Sequence, residues 1–380
     1  MSSVEEFRAE IRAWLADHLV GEFAELRGRG GPGREHEAFE GRLAWERHMA
    51  AHGWTCVGWP VEHGGRGASL EEQIAFHEEY ALADAPARVN HIGEQLLGPT
   101  LIAFGTEEQK KRFLPPIVAV EELWCQGYSE PDAGSDLANV RTRGALSPDG
   151  SQWVVDGQKI WTSLAHEAQW CFVVARTEPG SRRHAGLSYL LVPLDRPGVE
   201  VRPIVQLTGT SEFNEVFFDG ARTDASHVVG EPGDGWRIAM ATLGFERGVS
   251  TLGQQVGFRR EWDALAELAR KNGAIADPLI RDRLVRAWID LEAMAASARR
   301  GVDPSVGKLH WAAWHRGLGE LAMDVCGAAS TVAAGEPYEL DDWQRLFLFS
   351  RADTIYAGSD EIQKNIVAER LLGLPKEARV

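Results

Sequence analysis

Two stretches of this 380-residue chain gather side chains that can do chemistry. One is Trp124-Cys125-Gln126-Gly127-Tyr128-Ser129-Glu130-Pro131-Asp132-Ala133-Gly134-Ser135-Asp136-Leu137, and Lys159-Ile160-Trp161-Thr162-Ser163 follows it. Hydroxyls in them donate hydrogen bonds, carboxylates take up protons, and an indole covers a flat heterocycle with a large apolar face. Either stretch alone reads as a turn or a core aromatic. Their joint pattern and spacing point to a site. A third stretch, Leu243-Gly244-Phe245-Glu246-Arg247-Gly248, sets a carboxylate beside a guanidinium.

Elsewhere the chemistry thins out. Cys56, Cys125, Cys171 and Cys326 are isolated in sequence, without the spacing of a zinc site, and a disulfide framework is not expected in a chain of this size. The 12 histidines form no convincing ligand cluster at helical spacing, and no metal is expected. His310 and His315, set among tryptophans, are expected at the surface or in packing. Gly28-Arg29-Gly30-Gly31-Pro32-Gly33 and Gly64-Gly65-Arg66-Gly67 look like phosphate loops only superficially. No strand precedes the first, and flexible connectors are expected at both. The net charge of −16 argues against nucleic acid or an anionic membrane as partner. No basic, apolar leader opens the chain, and no run of about eighteen apolar residues is present. A cytoplasmic location in a reducing compartment is the expectation.

The elements around these residues follow from periodicity. Ser3 and Glu6 make a capping box ahead of Phe7, Ile11, Trp14, Leu15 and Leu19, which recur on one helical face. Ser69 with Glu72 and Thr106 with Gln109 repeat the start signal. Trp153-Val154-Val155 stands between two Asp-Gly turns, and strands are expected at 170–176, 187–193, 199–205 and 214–218. Helices return at 235–268, 278–300, 305–328 and 342–350. A last helix begins near Ser359 and stops at Leu372-Gly373-Leu374-Pro375. The expected class is α+β. It comprises an N-terminal helical domain (1–120), a middle antiparallel β-barrel or sandwich domain (121–228) and a C-terminal four-helix-bundle-like domain (229–380).

The first two stretches resemble the S/T-E-P-x-A-G-S-D-L and K-x-W-x-S/T motifs of the acyl-CoA dehydrogenase family. Trp59-Pro60-Val61-Glu62-His63-Gly64-Gly65-Arg66-Gly67, Phe104-Gly105-Thr106-Glu107-Glu108-Gln109-Lys110, Gly230-Glu231-Pro232-Gly233-Asp234-Gly235-Trp236 and Gly358-Ser359-Asp360-Glu361-Ile362-Gln363-Lys364-Asn365-Ile366 are similar to further family segments. Essentially the whole chain is covered, and the helix–strand–helix layout is the family's. The resemblance implies FAD as cofactor. Tyr128, Ser129, Trp161 and Ser163 would lie at the flavin ring, and Ser359 and Gln363 at the adenosine half. Gly134, Ser135 and Phe245 would lie towards an acyl-CoA substrate. It also implies an electron-transferring flavoprotein as oxidant and a homotetramer or mixed tetramer.

Dehydrogenation beside a thioester needs a base for the α-proton and donors for the enolate oxygen. Many family members carry the base as Glu in I-Y-E-G-T, but this chain reads Ile355-Tyr356-Ala357-Gly358-Ser359. A second branch carries it in an E-R pair on the earlier long helix, which assigns the role to Glu246, with Arg247 keeping the surroundings positive. The Ala357 backbone N–H still serves as a donor. The family's R-x-x-F-G segment is not matched around Arg270-Lys271-Asn272-Gly273-Ala274. Its Q-x-x-G-G-x-G motif appears as Asp324-Val325-Cys326-Gly327-Ala328-Ala329-Ser330, where an aspartate near a pyrophosphate must point away or be paired. The resulting expectation is an FAD-dependent acyl-CoA dehydrogenase forming a trans-2-enoyl-CoA. The alternatives are a non-catalytic or incomplete subunit of a mixed enzyme and an oxygen-using flavoenzyme on the same fold.

Overall fold

A computed structural model describes residues 3–246 and 250–376. Arg247 lies outside these residues, and so does the side chain of Glu246. Packing divides the chain into one unit of residues 1–75, 84–206 and 210–248 and another of 76–83, 207–209 and 249–380.

In the first unit the helix starts stand where the capping signals put them. Helix α1 (Val4–His18) opens with a reciprocal box, the Glu6 N–H donating to Ser3 and the Ser3 N–H to Glu6, and buries Phe7, Ile11 and Leu15. Helix α2 (Phe39–Ala51) buries Trp45 and Met49. Helix α3 (Leu70–Leu82) starts at Ser69, which exchanges the same two bonds with Glu72, and then runs on into the second unit. Helices α4 (Gly98–Phe104) and α5 (Glu107–Val118) follow a π-helical turn at Gly93–Leu97. Gly98 is required there, since a Cβ would stand 1.8 Å from the Trp59 indole. Gln109 of the third capping box also donates to the carbonyls of Ser226 and Val228, at 2.6 and 2.7 Å, tying α5 to the sheet.

The eight strands are β1 (Trp124–Gly127), β2 (Arg143–Leu146), β3 (Gln152–Ser163), β4 (Trp170–Arg176), β5 (Leu187–Pro193), β6 (Val199–Ile204), β7 (Phe213–Asp224) and β8 (Val228–Val229). Their order is β6-β7-β3-β2-β4-β5-β8, with β1 beside β4. The class is α+β as expected, but the sheet is mixed: β1 pairs β4 in parallel, as does β2 at one position. Every residue of β5 is buried, because apolar clusters cover both faces of the sheet. Cys125 and Cys171, isolated in sequence, are partners in the β1–β4 register and remain free thiols.

The glycine-rich loop at 28–33 is not a loose connector. The buried Arg42 guanidinium fills the space a Gly30 side chain would take, 2.3 Å from the position of a Cβ. Its NH groups donate to Glu35 and to the carbonyl of Ala87, while Glu212 accepts from the N–H groups of Gly33 and Glu35 at 2.9 and 3.0 Å. A buried cation with this many acceptors rigidifies the loop around it.

Helix α6 (Gly235–Glu246) is the last described element of the unit. Ile238 and Ala239 bury one side of it, and the Thr242 hydroxyl sits 2.8 Å from that of Thr100 on α4.

The second unit is a helical bundle of α7 (Ser250–Lys271), α8 (Pro278–Arg299), α9 (Pro304–Cys326), α10 (Asp342–Phe349) and α11 (Asp360–Ile366). Asp277 and Asp303 cap α8 and α9, each followed by a proline whose missing N–H costs nothing at a first helical turn. Phe258, Leu265, Leu284, Leu291, Trp314 and Leu318 form its core. Asn272 closes the α7 end by donating to the Val325 carbonyl at 2.7 Å, and Asp324 is paired with Arg283. No helix among the described residues is long and apolar enough to cross a membrane.

Candidate active site

The first two stretches meet in the sheet of the first unit. The Ile160 N–H donates to the Ser129 carbonyl at 3.0 Å. Beside this bond Lys159, fully buried, donates to three oxygens: the Tyr128 carbonyl at 3.0 Å, the Glu130 carboxylate at 2.8 Å and the Val174 carbonyl at 2.8 Å. Glu130 also accepts from the backbone N–H groups of Arg141 and Thr142, at 2.6 and 2.9 Å. Burial pushes its carboxyl up, but the Lys159 charge and the hydrogen bonds from Lys159, Thr142 and Arg141 outweigh that and hold it below the usual carboxylate range. All three ammonium protons and both carboxylate oxygens are engaged, the condition under which a buried pair is tolerated.

This lock sets the backbone on either side. Glu130 and Ala133 exchange two backbone bonds in a tight turn, beyond which Gly134 and Ser135 are exposed. The β3–β7 register slips between Lys159 and Thr162. Trp161 sits in that slip at φ 61°, a left-handed conformation that is costly for a residue with a side chain. Its indole is 56% exposed and meets Phe213 edge-on at 6.3 Å. Non-glycine residues held in this backbone region cluster at functional sites. Ser129, whose carbonyl takes that bond from Ile160, and Ser163, the last residue of β3, are both half-buried. Tyr128 contributes backbone only, since its ring is in the core against Phe172 and Tyr189. On α6, Phe245 is 38% exposed one residue before Glu246.

The second unit holds its own ordered turn. Ala357 lies at φ 51° and Gly358 at φ 84°. Among the described residues the exposed Ala357 N–H meets no acceptor. Ser359 caps α11, its hydroxyl accepting from the Ile362 N–H. Gln363 is fully buried, and its amide donates to the carbonyls of Ala357 and Gly358 at 3.2 and 3.3 Å, so this side chain shapes the turn. Upstream, Asp353 accepts from Tyr356 at 2.6 Å and from His315 at 2.6 Å, while Lys308 donates to its carbonyl at 2.5 Å. His315 is therefore an ion-pair hub, with Glu261 3.1 Å from its other nitrogen, and not a packing residue. Burial opposes its charge, but Glu261 and Asp353 overcome that and raise it to about 10.

Sequence reasoning gave Glu130, Lys159, Asp353 and His315 no role at the site. The first two stand inside the two motif stretches, where their opposite charges were the available signal. The second two have no local signal.

Family models for the N-terminal, middle and C-terminal domains of acyl-CoA dehydrogenase match residues 2–121, 125–221 and 233–372. Acyl-CoA dehydrogenase IpdE1 of Mycolicibacterium smegmatis is 66% identical over 393 residues, covering 100% of both chains. Among solved structures, the Tcur3481-Tcur3483 steroid ACAD superposes with a TM-score of 0.83 at 30% identity, over 98% of each chain. The ChsE4-ChsE5 complex from Mycobacterium tuberculosis does so with a TM-score of 0.81 at 28% identity, over 99% of each chain. Matches over all three domains, together with the IpdE1 relative, make the conclusion plain: the chain belongs to the acyl-CoA dehydrogenase family and is an oxidoreductase of that kind.

Proposed function

We propose that the chain carries out α,β-dehydrogenation of an acyl-CoA thioester to the trans-2-enoyl-CoA, with FAD as cofactor and an electron-transferring flavoprotein as oxidant. The observation that carries this reading is the Glu130–Lys159 lock, which joins the two motifs, the second of which carries the exposed, backbone-strained Trp161. A second feature fits a flat polar heterocycle: Gln126 Nε2, on the strand leading into Tyr128 and Ser129, is a buried donor with no acceptor among the described residues. Ser129, Trp161 and Ser163 would hold the ring, and Ser359 the adenosine half. When bound, FAD supplies the acceptor for the β-hydride, which no side chain can replace.

The chain's own groups do the rest. Glu246 takes the α-proton from the end of α6, with Arg247 beside it in sequence. The Ala357 N–H donates to the thioester oxygen as negative charge builds there. Gly134, Ser135 and Phe245 face the acyl group. The steroid ACAD name of one structural relative supports a bulky, ring-bearing acyl chain. In the family, a base on the earlier helix often accompanies bulky acyl groups.

A second reading shares the reaction between unlike chains. Both structural relatives carry two-chain names, and Ala357 leaves this chain without the family's other base position. One experiment separates the two. The chain is purified alone, and its flavin absorbance is followed anaerobically as steroid-side-chain and straight-chain acyl-CoAs are added, for wild type and Glu246→Gln. Bleaching in wild type, slowed by about 10²–10⁴ in the variant, is the expected result. A colourless chain that gains flavin only when co-purified with a second family member points to the shared enzyme. Equal bleaching in the variant would falsify Glu246 as the base.

A further inference from the structure

Away from the motif platform, the C-terminal ends of α1 and α2 bring three imidazoles together. His48 and His52 are four residues apart on α2 and its cap, so they face the same side. Trp14 and His18 have the same spacing on α1 and pack against them. His18 Nδ1 lies 2.9 Å from His48 Nε2. One nitrogen from each of His18, His48 and His52 lies within 4.8 Å of the others. The expectation that the histidines form no cluster therefore fails: two share a helix face, and a third arrives from a helix thirty residues earlier in sequence.

We propose that His18, His48 and His52 bind a divalent first-row transition ion of the zinc class, with three imidazole ligands and water in the remaining position. Zinc–nitrogen bonds of about 2.0–2.1 Å in a tetrahedron place ligand nitrogens about 3.3 Å apart, a spacing these rings reach by small rotations. His52 is already oriented: its Nδ1 is 2.8 Å from the His48 carbonyl, and donation there leaves Nε2 with a bare lone pair. Such a bond from the non-ligating nitrogen is the usual support of a metal-bound histidine. The ends of two helices point their carbonyls to this spot, and that potential favours a cation. An all-imidazole set suits zinc, copper or nickel and disfavours magnesium or calcium. Trp14 stacks on His18 at 4.6 Å and Trp45 on His48 at 5.9 Å, closing the inner side, while His52 is exposed and leaves an entry. Bound there, the ion would staple α1 to α2.

The test uses tag-free full chain stripped with EDTA, titrated with zinc chloride by calorimetry and melted with and without zinc. One zinc per chain and a zinc-dependent rise in Tm are expected. His18→Asn and His52→Asn should each weaken binding at least about tenfold, the loss that even an outer-shell partner brings, and should abolish the zinc-dependent rise relative to their own EDTA midpoints. Cobalt chloride should give a tetrahedral-type visible spectrum with wild type and not with either variant. His52→Asn decides alone if His18→Asn does not fold, because His52 is exposed. No stoichiometric zinc, or zinc binding that His52→Asn retains in full, overturns the proposal.

Discussion

Each unit anchors a loop with a buried cation, and the two anchors differ in kind. In the first, Lys159 serves the motif platform with one carboxylate and two carbonyls. In the second, the turn carrying Ala357 hangs from Asp353, which His315, Lys308 and Tyr356 hold together. The lysine pair is dry on both sides, the side chains being 0% and 7% exposed. The histidine pair has one dry carboxylate, Asp353 at 1%, and one wet one, Glu261 at 38%. Burial pulls the Lys159 ammonium below its ordinary range, and the charge and hydrogen bond of Glu130 oppose that. A histidine carries charge only where its neighbours have lifted it, so alkaline conditions can remove it. The platform rests on a pair shut away from water, whereas the turn depends on a bond that alkaline pH removes.

The largest expected effect comes from breaking the platform anchor. Lys159→Met strands the Glu130 carboxylate among apolar strands and should cost about 3–5 kcal/mol, with flavin content falling in the same preparation. Urea melts and the visible spectrum measure both, and a variant that melts like wild type would show the lock to be dispensable. His315→Gln should cost about 2–4 kcal/mol at pH 6, and this one depends on pH. The folded His315 is raised to about 10, above its unfolded value near 6.5. Its stabilisation is thus complete below about 6.5 and is lost as pH rises towards 10, by up to about 1.4 kcal/mol per unit. Melts of wild type and variant between pH 6 and 10 should converge, and parallel curves would mean that the hub does not titrate. Gln363→Ala removes two donors from the turn and leaves two carbonyls short, for about 1–2 kcal/mol. Hydrogen exchange of residues 355–360 should rise locally. Smallest of all is Ala357→Gly, which relieves the left-handed conformation at φ 51° but loosens the unfolded chain. A change within about 1 kcal/mol is expected, and a loss beyond that would mean the alanine methyl packs against something essential.

How far the sequence reached depended on the range of the interaction. Capping boxes are local, and Ser3, Ser69 and Thr106 all start helices as read. Strands β4 and β5 stand at the residues expected, because long apolar runs between turns admit little else. The strand expected near Trp153 runs on to Ser163 and carries the whole second motif, and β1, which leads into the first, was not anticipated. Four-residue strands leave too little pattern, and parallel pairing such as β1 with β4 leaves none. The site was legible as residue types at a spacing. The forces holding it were not: Glu130 and Lys159 are neighbours only after the sheet forms, and so are His315 and Asp353. The glycine loop misled for the same reason, since its rigidity comes from Arg42 and Glu212, residues outside it.

The Glu130–Lys159 pair also bears on inheritance. Each partner is neutralised only by the other, so a single substitution at either position leaves a lone charge in a dry sheet, a far larger loss than most point mutations bring. A lineage can leave the pair only by changing both residues almost together or by first gaining stability elsewhere. The two motifs therefore descend as one heritable character, although twenty-nine residues separate the pair along the chain.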